Sequence, residues 1–169
     1  MSLSMSSASL PVFTSMLGNL RRILDKGLAH AEARKFDPLV LTSYRLAPDM
    51  LPFTRQVLIA CDAARLGVAR IGGIDPGRWE DKETSFEELK ARIDRTVEWL
   101  AAVKPEQLDG TEDKEVTFPV GRESTRTMKA EAFLKHWVLP NFYFHVTTAY
   151  AILRHNGVEL GKADYLGGR

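Results

Sequence analysis

The stretch "HWVLPNFYFHVTTAYAILRHNG", residues 136–157, decides the fold. Leu134, Val138, Asn141, His145, Thr148 and Ile152 fall on one helical stripe. Phe142, Val146, Ala149 and Leu153 form a second, and Trp137, Phe144 and Ala151 a third. A helix that is apolar nearly all round is either central or covered by a second subunit. Asn156 and Gly157 supply a usual C-terminal stop. Pro140 removes one helical hydrogen bond and frees the carbonyl of His136, so a kink is expected just before Asn141. Asn141 and His145, one turn apart on the same stripe, are expected to be buried, and buried polar groups need partners. His136 lies on another face and reads as a surface histidine.

Working outward, three further amphipathic helices appear. Leu10, Phe13, Leu17, Leu20, Leu24 and Leu28 recur at steps of three and four, predicting a first helix over about 9–32 with Pro11 in its first turn. Met50, Phe53, Val57, Cys61, Ala64 and Val68 make the stripe of a second, flanked by Gln56, Ala60 and Ala63. A third opens at "TSFEE", where Ser85 and Glu88 have capping-box spacing, carries Phe86, Leu89, Ile93, Val97, Leu100 and Val103, and stops at Pro105. Between the second and third lies a long glycine-rich connection, "LGVARIGGIDPGRWEDKET". Two β-rich runs around Pro119 and Gly121, Glu115–Phe118 and Ser124–Met128, read as a small hairpin. The last helix is expected over about Lys129–Arg154. The pattern predicts a single all-α domain over residues 1–169, a four-helix bundle with a small hairpin before the last helix and residues 1–8 disordered.

The totals exclude several classes. The chain has 169 residues, with 23 basic and 22 acidic side chains and a net charge of +1, so it lacks the basic stripe of a nucleic-acid binder. One cysteine, Cys61, excludes an intrachain disulfide and a CxxC site. On the core stripe its thiol should be inert, with a raised pKa. No run of 18 apolar residues suggests a membrane span, and the start does not resemble a signal peptide, so a cytoplasmic location is expected. Phosphate loops, Ser-His-Asp arrangements and paired carboxylates do not rise above chance. His30 and His155 sit at helix ends and read as structural. Arg45, Asp49, Arg55 and Asp62 cluster around the second helix, where they read as an ion-pair network holding the loop "SYRLAPDM"; the sharper reading gives Arg45 or Arg55 an anionic ligand. Tyr143 and Tyr150 could offer hydroxyls to a pocket, though such rings more often serve a core or an interface.

"RLAPDMLPFTRQV-IACD" and "LPNFYFHVTTAY-ILRHNG", with "DKETSFEEL" and the tail "LGKADYLGG", resemble an uncharacterised family within the DinB/YfiT-like superfamily. That resemblance covers nearly the whole chain and implies a four-helix bundle, often dimeric. It also implies, for many members, a divalent metal held by one histidine on helix two and an HxxxH pair on helix four. Some members are thiol-dependent S-transferases or isomerases. The second histidine of that pair stands nine residues before an arginine and twelve before a glycine; His145 stands so before Arg154 and Gly157. The first then falls on Asn141 and the helix-two ligand near Gln56. Amides are weak ligands for zinc or nickel, so no metal cofactor is expected.

The functional expectation is a small polar pocket around Gln56, Asn141 and His145, with Tyr143 and Arg45 as further ligand-binding candidates. It would bind a small molecule and carry out acid–base chemistry through His145 without a metal. Two rivals stand beside it. One is a zinc- or nickel-dependent thiol transferase or isomerase with an altered ligand set. The other is a non-catalytic homodimeric binding or scaffold protein in which Asn141 and His145 satisfy each other. A homodimer is expected, with no nucleic acid or membrane as partner.

Overall fold

A computed structural model describes residues 3–121 and 123–168. Helix α1 (Leu10–Arg34) begins with Pro11 in its first turn and ends at Lys35, whose left-handed φ of 59° turns the Phe36 N–H back to the Ala31 carbonyl. A short helix, α2 (Leu39–Thr42), interrupts the loop that leads to α3 (Phe53–Gly72). Gly73 caps α3 at φ 66°, a conformation that costs other residues more. Helix α4 (Phe86–Ala101) opens with the expected capping box: the Ser85 hydroxyl accepts from the Glu88 N–H, and the Ser85 N–H donates to the Glu88 carboxylate. The hairpin pairs β1 (Glu115–Val120) antiparallel with β2 (Ser124–Lys129), from Glu115 opposite Lys129 to Val120 opposite Ser124.

The four long helices α1, α3, α4 and α6 (Leu139–His155) form the bundle. Helix α3 packs on α4 and α6, and α1 packs on α4 and α6. Phe13 of α1 meets Phe142 of α6 edge-on at 4.9 Å, and Phe53 and Phe86 approach to 5.7 Å in the same core. The hairpin presents Val116 and Phe118 inward; the Phe118 ring lies 4.6 Å from Phe133 and 4.9 Å from Trp137. A short C-terminal helix, α7 (Lys162–Leu166), docks on α1, where buried Asn19 donates to the Tyr165 carbonyl and Lys26 pairs with Asp164. Near the start, Met5 is buried and Ser6 donates from its N–H and hydroxyl to Asp109; Met1 and Ser2, also in the stretch expected to be disordered, lie outside the described residues.

The last helix is not the single run expected over 129–154. It is α5 (Ala130–Phe133), a π-helical turn (Leu134–Val138), then α6. Pro140 thereby falls in the first turn of α6, where a missing N–H is least costly. The irregularity takes the form of a widened turn, in which the Leu139 N–H donates five residues back to Leu134.

The ion-pair network also differs from the expectation. It clamps residues 73–84, not "SYRLAPDM". Arg65 donates to the carbonyls of Pro76 and Gly77 and pairs with Asp62 at 2.8 Å. Arg92 bonds Asp62, Asp81, Glu83 and the Glu80 carbonyl, and Arg55 pairs with Asp81 at 2.7 Å. The Trp79 ring lies 4.1, 5.0 and 4.0 Å from the guanidinium carbons of Arg65, Arg92 and Arg95. Buried cations therefore organise a connection that carries little apolar material of its own.

Candidate functional site on the face between α3 and α6

His145 is 8% exposed and faces α3. Its Nδ1 lies 2.7 Å from Oε1 of Gln56, a residue only 2% exposed. Gln56 Nε2 in turn donates to the Leu51 carbonyl at 3.0 Å, on the loop that enters α3. This chain fixes the proton positions. A carbonyl only accepts, so the Gln56 NH₂ must face Leu51 and its Oε1 must face His145. An amide oxygen also only accepts, so Nδ1 carries the hydrogen. In the neutral ring the lone pair is then on Nε2, which has no hydrogen-bond partner among the described residues. Burial pushes the His145 pKa down to about 4, so the ring is neutral near pH 7.

The remaining candidates separate from this pair. Asn141 is half-buried and does not bond His145; it lines a groove of about 160 Å³ with Asp62 and Arg70 of α3 and Trp137 of the π turn. The mutual bond of Asn141 and His145 that the scaffold reading requires does not form; His145 bonds Gln56, which the pocket reading groups with it. Tyr143 is 37% exposed and makes no hydrogen bond to the pair. Arg45 is exposed, donates to the Met50 carbonyl, and lines a different surface hollow with Tyr44 and Leu46. The expected single pocket thus resolves into a Gln56–His145 pair, a neighbouring groove containing Asn141, and two outlying residues. Cys61 is buried, with its thiol pushed up to about 12 by burial, as its place on the core stripe implied.

Arg65, Arg70, Arg92 and Trp79 were missed from sequence. The available signal was positional. Arg65 and Arg92 interrupt faces otherwise occupied by core residues, and Asp62, Leu66 and Arg70 share a helical face through i, i+4 spacing.

Residues 5–166 match the family described as "Domain of unknown function (DUF1993)". The chain belongs to this family. A crystal structure of a DinB family member protein from Shewanella denitrificans is similar over 96% of this chain and 91% of its own, at 40% identity and a TM-score of 0.87. No curated protein matches the chain. The DUF1993 chain is therefore DinB-like, and its all-α bundle with one small hairpin is that fold. No helix among the described residues is long and apolar enough to cross a membrane.

A metal of the kind the superfamily suggests does not fit these side chains. The positions to which the resemblance points, 56, 141 and 145, carry two amides and one imidazole, and the Gln56 oxygen is already taken by the His145 N–H. Among the described residues no group of three His, Cys, Asp or Glu is placed to hold a metal ion. Neutral amide oxygens are poor donors to zinc or nickel.

Proposed function

We propose that this DUF1993 protein binds a small polar molecule on the α3–α6 face and moves a proton through Nε2 of His145, without a metal. The observation that carries the reading is the chain Leu51 carbonyl–Gln56 amide–His145 Nδ1, which leaves one lone pair on a held, neutral ring. A ring with a depressed pKa is a weak base. Its use is as a hydrogen-bond acceptor that stays uncharged and takes a proton only in the course of a reaction. Gln56 does for this imidazole what a carboxylate does in a catalytic triad: it fixes tautomer and orientation. Being neutral, it adds no charge, which keeps the ring's basicity low.

Support for a homodimer comes from the outer face of α6, where Phe144 is 58% exposed beside Tyr143. A large exposed aromatic on a central helix suits a second copy of the chain.

The test is thermal melting of the untagged protein against a panel of small polar molecules, with and without a chelator. A ligand of the native site must raise the midpoint, and the rise should survive the chelator and be lost in His145→Phe. A rise that requires added zinc or nickel would overturn the metal-independent reading.

A further inference from the structure

The groove beside His145 has an electrostatic feature that the Gln56–His145 pair does not use. Asp62 on its wall is occupied, accepting from Arg65 at 2.8 Å and from Arg92 at 3.1 Å. Arg70, two turns further along the same face of α3, is half-buried and makes no hydrogen bond or ion pair among the described residues. Asn141 faces the same groove from α6 and likewise has no side-chain partner there. A half-buried guanidinium has lost part of its hydration and has five donors to place. Burial lowers the pKa of Arg70 and nearby Arg65 lowers it further, while Asp62 raises it in part, so the charge is only partly compensated.

The shape narrows the anion. The groove's volume is about 160 Å³, a size that suits a small acid. Its walls are otherwise apolar: Trp137 closes one side, and Gly67 lets α3 approach Val138 of the π turn so closely that a Cβ there would collide with the valine. The carboxylate of Asp62, although paired, disfavours a multiply charged guest. A planar monoanion matches both the guanidinium fork and the neighbouring amide NH₂.

We infer that this groove binds a small aliphatic monocarboxylate, its carboxylate held by Arg70 and the Asn141 amide and its alkyl part against Trp137. The groove lies one turn of α6 from His145, so the inference goes beyond the acid–base reading and does not depend on it.

The probe is butyrate, with butyramide as its neutral counterpart and inorganic phosphate as a general anion, followed by ¹⁵N-correlated NMR at matched ionic strength. Butyrate should shift the Trp137 indole N–H and the Asn141 side-chain amide in a saturable manner, with butyramide and phosphate much weaker. Arg70→Met should raise the butyrate Kd at least about tenfold, and Asn141→Ala by a smaller factor. Arg22→Met, in the separate cleft between α1 and the C-terminal tail, should leave it unchanged. Dispersed spectra of each variant establish that it is folded, and Arg70→Lys, which keeps the charge without the fork, should bind at an intermediate level. Equal shifts by butyramide, tighter binding of phosphate, no saturable shift at Trp137 and Asn141, or an unchanged Kd in folded Arg70→Met would each overturn the inference.

Discussion

At the scale of single residues, His145 couples stability to pH. Its folded pKa, about 4, lies below the ordinary 6.5, so the unfolded chain takes the proton first as pH falls. The contribution is whole above about pH 6.5 and is lost as pH falls toward 4, amounting to roughly 3 kcal/mol at most. His145→Leu should flatten this part of the stability–pH curve. It should also cost on the order of 1–3 kcal/mol near pH 7, because Gln56 Oε1 is left buried without a donor. Urea unfolding between pH 4 and 7.5 measures both, and a variant with the same slope as the parent would show that another group titrates. The same positions carry a test of the ligand set that the resemblance assigns to them. Gln56→His with Asn141→His should take up zinc or nickel and melt at a raised temperature, since the HxxxH spacing on α6 is retained. Failure of the folded double variant to bind either ion would mean that a histidine at 141 stays in the neighbouring groove and does not turn toward positions 56 and 145.

At the scale of elements, much was legible in the sequence. The α4 capping box, the hairpin and most of each apolar stripe follow from period and cap chemistry; Met50 and Val103, at the ends of two stripes, fall outside α3 and α4. Two features were not. The π turn was hidden because Pro140 signals a missing donor but not how the backbone accommodates it. The arginine clamp was hidden because the 73–84 connection has no periodicity and its anchors lie on helices distant in sequence. The candidate site was half legible. His145 lies on a buried stripe as its spacing implied and bonds Gln56, which the sequence grouped with it, whereas Asn141, grouped with the same pair, does not join it. Residues four apart on one helix can both turn toward different neighbours, and α3 offered Gln56 to one and a groove to the other. Pro140→Ala restores an amide donor and should relax the π turn toward α geometry, shifting Asn141 relative to Asp62 and Arg70 while the bundle stays folded. A variant structure with the π turn and Asn141 unmoved would assign the turn to the packing of Val138 on Gly67 instead.

At the scale of the whole molecule, the face of α6 turned from the core carries Pro140, Tyr143, Phe144 and Thr147, all exposed in the single chain. Such a surface on the helix that also holds His145 is expected to be covered by a second copy. Light scattering at micromolar concentration should give about twice the chain mass of 19.0 kDa, and Phe144→Glu should return it to one chain. A parent protein that scatters as a single chain would contradict this.

The central claim, that the site works through a neutral imidazole held by an amide, is tested most directly by ¹⁵N NMR of the His145 ring across a pH titration. The account predicts an Nδ1–H tautomer with an unprotonated Nε2 at pH 7, and a midpoint near 4. A ring protonated on Nε2, or one titrating near 6.5, would contradict it.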